Sequence, residues 1–127
     1  LGQNDMNVAA ARASLRPWQI AGTSNALTTE ADVSVQAGAD YVAVGRMFPT
    51  GSKADTRPAG PETLRAVRDA MPAGGPPLLA IGGITAENVG EVARAGADGI
   101  CVIAAVTQSD DPRAAATRLL EAFKAVG

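Results

Sequence analysis

The sequence predicts an α/β protein in which a parallel sheet is covered by helices. Short β-rich runs at 19–21, Tyr41–Val44, Leu78–Ile81 and Ile100–Ile103 alternate with segments of helical period. None of the runs shows clean period-two alternation, which suits strands covered on both faces. In addition, Gln-Ala-Gly-Ala-Asp-Tyr-Val-Ala-Val at 36–44 returns 58 positions later as Arg-Ala-Gly-Ala-Asp-Gly-Ile-Cys-Val at 94–102. Each copy reads as a helix end, a glycine stop and an Asp leading into a buried strand. Half of that spacing is close to the ~30 residues of one βα unit, so the copies are two such units advanced around a barrel or along a sheet.

In chain order, Leu1–Asp5 places Asp5 just after a strand-like fragment, and Val8, Ala11 and Leu15 form the first helical stripe. Trp18 is expected to cover the junction between that helix and the strand at 19–21. Later stripes are Leu64, Val67 and Met71, then Val89, Val92 and Ala93, then Leu119, Leu120, Phe123 and Val126. Pro61 and Pro112 suit a first helical turn, where a missing N–H costs nothing. Thr85 and either Asp110 or Asp111 are natural N-caps, while Gly38 and Gly96 fit the left-handed position after a helix. Twenty-seven alanines favour helices packed closely on a sheet. Ala-Gly-Gly-Pro-Pro at 73–77 reads as a loop, and Arg12, Arg65, Arg68 and Arg118 as solvated helix-face charges.

At 127 residues the chain is about one domain, or one piece of one, and falls short of the roughly 250 residues of a closed (β/α)₈ barrel. Leu1 reads as an interior position of something longer. The absence of histidine removes a Ser-His-Asp triad, a His base and any His-ligated metal. Eleven Lys and Arg against thirteen Asp and Glu argue against a nucleic-acid surface. The single Cys101 cannot close an internal disulfide and reads as a small hydrophobe in a strand. No apolar run reaches the ~18 residues of a membrane span, and no leader opens the chain. The expectation is a soluble, cytoplasmic α/β protein with no membrane or nucleic-acid partner.

Candidate chemistry gathers where strands end, since α/β folds bind ligands there. Gly-Arg-Met-Phe-Pro-Thr-Gly-Ser-Lys-Ala-Asp at 45–55 follows a strand and offers Thr50, Gly51, Ser52 and Lys53 to a phosphate; a solvated loop is the alternative. Ile-Gly-Gly-Ile-Thr at 81–85 lets backbone N–H groups approach an anion, Gly83 among them; a tight βα turn is the alternative. The end of the last strand, Val102–Ala105, offers backbone N–H groups to the same space if the strands are adjacent. Asp5 can supply half of a Mg²⁺ site or simply cap a helix. Ser24 follows the 19–21 run and can bind a phosphate oxygen or only stabilise a turn.

From Leu-Gly-Gln-Asn-Asp through Gly-Thr-Ser, Phe-Pro-Thr-Gly-Ser-Lys, Ala-Ile-Gly-Gly-Ile-Thr and Ala-Gly-Ala-Asp-Gly-Ile-Cys-Val-Ile, nearly the whole chain resembles the thiamine phosphate synthase family. The resemblance implies a partial TIM (β/α)₈ barrel, running from the end of the fourth strand through the eighth with their helices, as the C-terminal part of a single barrel domain. It implies a transferase of thiamine biosynthesis that joins a hydroxymethylpyrimidine diphosphate to a thiazole phosphate, with pyrophosphate leaving and Mg²⁺ assisting. Carried onto this chain, Asp5 is a Mg²⁺ ligand, and Ser24 and Lys53 hold the pyrimidine diphosphate. Thr50, Gly51 and Ser52 contact the thiazole phosphate, completed by Gly83 and the Ile103–Ala104 backbone, and Lys53 is the catalytic cation.

The chain departs from the family pattern in three ways. The family's upstream Gln-x-Arg-x-Lys segment and Asn-Asp pair are not among these residues. Arg46 stands where proline is common, and Ala104 where serine is common. A thiazole tautomerase relative shares the pocket but by analogy needs a His beside the Gly-Thr-Ser turn, where this chain has Asn25 and Ala26. A non-catalytic phosphate-binding half-barrel is the remaining alternative, with these residues expected to be inactive alone and either to self-associate through open sheet edges or to be one piece of a longer protein.

Overall fold

The computed structural model describes residues 1–49 and 57–126. Four strands, β1 (Gly22–Asn25), β2 (Tyr41–Val44), β3 (Leu78–Ile81) and β4 (Gly99–Cys101), form one sheet in that spatial order, every pair parallel. Among the described residues the helices are α1 (Val8–Ser14), α2 (Thr28–Gln36), α3 (Gly60–Ala70), α4 (Val89–Arg94), α5 (Ala104–Thr107) and α6 (Pro112–Val126). Leu1 adds a rung outside β1: its nitrogen donates to the Gly22 carbonyl at 2.7 Å, and the Ser24 N–H donates to the Leu1 carbonyl at 2.8 Å. Of the opening segment, Leu1 alone pairs through its backbone; residues 3–5 turn away, with the Asp5 N–H on the Gly2 carbonyl at 3.2 Å.

Spatial order equals chain order, with no reversal. Right-handed crossovers then place every connecting helix on the same face. The contacts agree, since α2 touches α3, α3 touches α4, and α4 touches α6. The core lies between that helical layer and one sheet face. Val42, Val44, Leu78 and Ala80 from the strands meet Ala31, Leu64, Val67, Val89, Val92 and Leu119 from the helices. The register puts Ser24, Ala43, Leu79 and Gly99 in one row on the opposite face, with Ile81 and Cys101 in the next. There Ser24 is exposed, and Leu79, Ile81, Gly99 and Cys101 are half-buried. Covering on both faces thus holds for the helix side alone among the described residues.

The repeated Ala-Gly-Ala-Asp is a structural device used twice. Asp40 accepts the Ala21 N–H at 2.7 Å and Arg12 at 2.5 Å, while Arg12 also donates to the Gly38 carbonyl at 3.2 Å. Asp98 accepts the Leu78 N–H at 2.8 Å and Arg68 at 2.5 Å, and Arg68 donates to the Gly96 carbonyl at 2.9 Å. Each Asp N–H returns a bond to the carbonyl of the same residue, Ala21 or Leu78. Each set joins the amino-terminal ends of two neighbouring strands. Arg12 and Arg68 are therefore clamp residues and not free surface charges, and Arg65 also is bound, donating to the Arg94 carbonyl. Gly38 and Gly96 take the expected left-handed conformation, with φ of 87° and 104°.

Several boundaries differ from expectation. The first full strand begins at Gly22, after the 19–21 run, so Ser24 lies within a strand and does not follow one. The last strand stops at Cys101. Trp18 covers no junction: it is 72% exposed, with the Arg16 guanidinium 5.5 Å from its ring centre. Asn7, and not Asp5, caps α1 through the Ala10 N–H, and Asp111 caps α6 through the Ala114 N–H. Asn88, not Thr85, is the N-cap residue of α4, and its side chain makes no cap bond to the helix but turns back to the Thr85 N–H and the Gly83 carbonyl.

Candidate functional site

All the strands point the same way, so their carboxyl ends share one rim. At the end of β2, the Gly45 N–H donates to the Asn25 carbonyl at 3.0 Å. The chain then stays paired with its neighbour, Met47 N–H to Ile81 and Phe48 N–H to Gly82. Arg46 gathers the returning chain, since its N–H reaches the Arg57 carbonyl at 3.0 Å and its carbonyl accepts the Ala59 and Gly60 N–H groups. Thr50, Gly51, Ser52 and Lys53 lie outside the described residues.

The end of β3 turns sharply through Gly82 and Gly83, with φ of 103° and 67°. A Cβ on Gly83 would stand 2.6 Å from the Phe48 carbonyl oxygen, so the close approach of the two loops requires glycine here. Asn88 braces the turn, accepting the Thr85 N–H at 2.8 Å and donating to the Gly83 carbonyl at 3.0 Å. At the neighbouring end of β4, Ile103 opens α5, a four-residue helix inserted before α6, with Ala104 as its first residue. Ile103 is 59% exposed, and its carbonyl accepts the Thr107 N–H and hydroxyl. Adjacent loops with a short extra helix are where barrel enzymes frequently bind phosphate.

Ser24 and Asp5 sit apart from that pair, on the β1 side of the rim. Ser24 is exposed on the face away from the helices. Asp5 is exposed in a turn, with Oδ2 accepting the Gly2 N–H at 2.6 Å. Among the described residues no three His, Cys, Asp or Glu side chains gather as a metal cage. A single exposed carboxylate fits Mg²⁺ only in the manner in which that ion commonly binds, with one or two carboxylates and phosphate oxygens completing the shell. The structure thus brings Gly83 and Ile103–Ala104 together on adjacent strand ends, and sets Ser24 and Asp5 at the other side of the same rim. Two surface concavities among the described residues, one along α6 and one between α2 and α3, are lined by helix residues and by none of the rim residues named above.

Polar residues that the sequence reading passed over hold this rim. Asn25 is 1% exposed; its amide donates to Thr23 Oγ1 and the Ala43 carbonyl, and its Oδ1 accepts from Ser34 and Gln3. Gln3 also donates to the Ser24 carbonyl at 2.8 Å. Glu30 accepts the Ala26 and Leu27 N–H groups and pairs with both ends of the Arg57 guanidinium, at 2.8 and 2.9 Å. The Arg57 hydrogen bond, foremost, holds the Glu30 carboxyl below its ordinary pKa. A capping-box pattern would have disclosed Glu30, but Leu27 stands where Ser or Thr normally gives that signal. Burial raises the Cys101 thiol pKa, in keeping with a packing role.

The fold and rim define a sequentially ordered parallel α/β protein with a glycine turn and a short extra helix on adjacent strand carboxyl ends. A family model described as thiamine monophosphate synthase matches residues 1–106, and the chain belongs to that family. It is 45% identical over 124 residues to thiamine-phosphate synthase of Haloquadratum walsbyi, covering 95% of this chain and 54% of that protein. It is 46% identical over 121 residues to thiamine-phosphate synthase of Chlorobium luteolum, covering 94% and 56%. A solved thiamine phosphate pyrophosphorylase from Pyrococcus furiosus superposes with a TM-score of 0.87 at 37% identity, over 99% of this chain and 58% of that one. The chain thus spans a little over half the length of the relatives it matches.

Proposed function

We propose that these residues form the thiazole-phosphate side, and part of the diphosphate side, of a thiamine-phosphate synthase. The supporting observation is the pairing of the Gly82–Gly83 turn with the start of α5 on adjacent strand ends, in a chain of this family. In this reading the sheet is the end of the fourth strand through the eighth of a (β/α)₈ barrel. Leu1 is the last of the fourth strand, and β1 to β4 are the fifth to the eighth.

The reaction joins 4-amino-2-methyl-5-hydroxymethylpyrimidine diphosphate to 4-methyl-5-(2-phosphoethyl)thiazole and releases pyrophosphate. Gly83 and the Ile103–Ala104 backbone orient the thiazole phosphate with Thr50, Gly51 and Ser52. Ser24 hydrogen-bonds the diphosphate, and the Lys53 cation balances charge as the pyrophosphate departs. Substitution is dissociative: the pyrimidine methylene becomes a resonance-stabilised cation, which the neutral thiazole nitrogen traps. That attack needs no general base, in keeping with a chain without histidine. Asp5 would hold Mg²⁺, whose contribution when bound is to neutralise charge on the diphosphate. Holding the two rings in line supplies much of the remaining acceleration.

Coupling of the two precursors, measured in a protein of full family length that carries these residues, tests the reading. Lys53→Ala and Asp5→Asn should lose turnover, and unchanged rates would remove both residues from the site. The 127 residues alone should be inactive and should self-associate through their sheet edges. A stable monomer on size-exclusion chromatography would sink the self-association. Among the described residues no helix is long and apolar enough to cross a membrane, and a lone cysteine with no disulfide suits work in the cytoplasm.

A further inference from the structure

We propose that Glu30 and Arg57 are positioning residues of this site, tying the turn that follows Ser24 to the chain on either side of residues 50–56. The inference rests on the synthase reading, because that reading places Ser24 and Lys53 on one substrate. Glu30 stands in the first turn of α2. Its Oε1 accepts the Ala26 N–H at 2.8 Å and the Leu27 N–H at 3.2 Å, which fixes the chain just past Ser24 and Asn25. Its two oxygens also take Arg57 Nη1 and Nη2 as a fork.

Arg57 is the first described residue after 50–56, and its carbonyl holds the Arg46 N–H. The chain at Arg46, the chain at Arg57 and the β1–α2 turn are therefore bound into one unit. The Glu30 side chain is 15% exposed and that of Arg57 52%. An ion pair this open adds little to global stability. Its contribution is orientation, since a planar fork sets the angle between two groups as well as their distance.

The test uses a protein of full family length carrying these residues, followed by precursor coupling and by amide hydrogen exchange. Arg57→Ala should lower kcat/KM about tenfold, the scale at which small misplacements act on aligned reactants. It should also speed exchange at the Arg46, Ala59 and Gly60 amides and leave those of β3 and β4 unchanged. Glu30→Gln keeps an oxygen for the Ala26 N–H and should act in the same direction, while Arg57→Lys should recover part of the loss. Arg12→Ala breaks an ion pair at the opposite end of the sheet and should lower the thermal midpoint without changing kcat/KM or those amides. Unchanged kinetics and exchange in Arg57→Ala overturn the proposal, as does an equal kinetic loss in Arg12→Ala. If Arg57→Ala does not fold, Glu30→Gln and Arg57→Lys carry the same comparison. If the unsubstituted protein fails to couple the precursors, the synthase reading falls, and the exchange data alone decide whether Arg57 holds the chain at Arg46.

Discussion

Asp98 holds two donors of different kinds, a backbone N–H that opens β3 and the Arg68 guanidinium. Removing one partner of a bond costs most where a backbone group is left without an acceptor. Asp98→Ala should therefore lower the urea midpoint more than Arg68→Ala, which leaves the carboxylate on the Leu78 N–H; the reverse order would show that the ion pair dominates. At the rim, Gly83→Ala forces a side chain into a left-handed conformation and against the Phe48 carbonyl. The conformation alone costs on the order of 1–3 kcal/mol. Phosphate protection of the fold against heat should weaken in this variant by more than the stability loss explains. Gly83 was legible in the sequence because glycines after an apolar run have few other uses. Arg12 and Arg68 were not, because their partners lie 28 and 30 residues away and helix periodicity sees only neighbours.

Elements were legible in proportion to their apolar content. β2 and β3 match the sequence reading to the residue, since Tyr-Val-Ala-Val and Leu-Leu-Ala-Ile are apolar runs bounded by turns. β1 is Gly-Thr-Ser-Asn, and its burial depends on Asn25 satisfying Thr23, Ser34 and the Ala43 carbonyl, which no hydropathy pattern announces. α2 buries Ala31 and Ser34 while leaving Val33 67% exposed, so its inner face is marked by small size and not by an apolar stripe. α3 is the opposite case, with Leu64 and Val67 buried at helical spacing. Leu64→Ala should cost about 2–5 kcal/mol in denaturant unfolding. A smaller loss than in Val33→Ala would mean that α3 does not seat the sheet.

For the molecule as a whole, acid is the informative perturbation. Glu30 and Asp40 both have pKa values lowered by folding, Glu30 chiefly by Arg57 and Asp40 chiefly by the Ala21 N–H and then Arg12. A lowered folded value means stability that is complete above the ordinary carboxylate pKa and is lost as pH falls through the folded one. Thermal midpoints should hold steady near neutrality and decline below about pH 4.5, the ordinary value for Glu30. In Arg57→Ala that decline should be shallower, because the largest cause of the Glu30 shift is gone; an identical acid limb would contradict the pairing.

The twice-used Arg–Asp clamp has one more consequence. It works at the amino ends of the strands, away from the carboxyl-end turns that carry Gly83, Ile103 and Ala104. Among the described residues it fastens β1 to β2 and β3 to β4 but not β2 to β3, where the Val42 N–H meets the Pro77 carbonyl instead. The base of the sheet is therefore tied in pairs of strands, at twice the period of the βα unit.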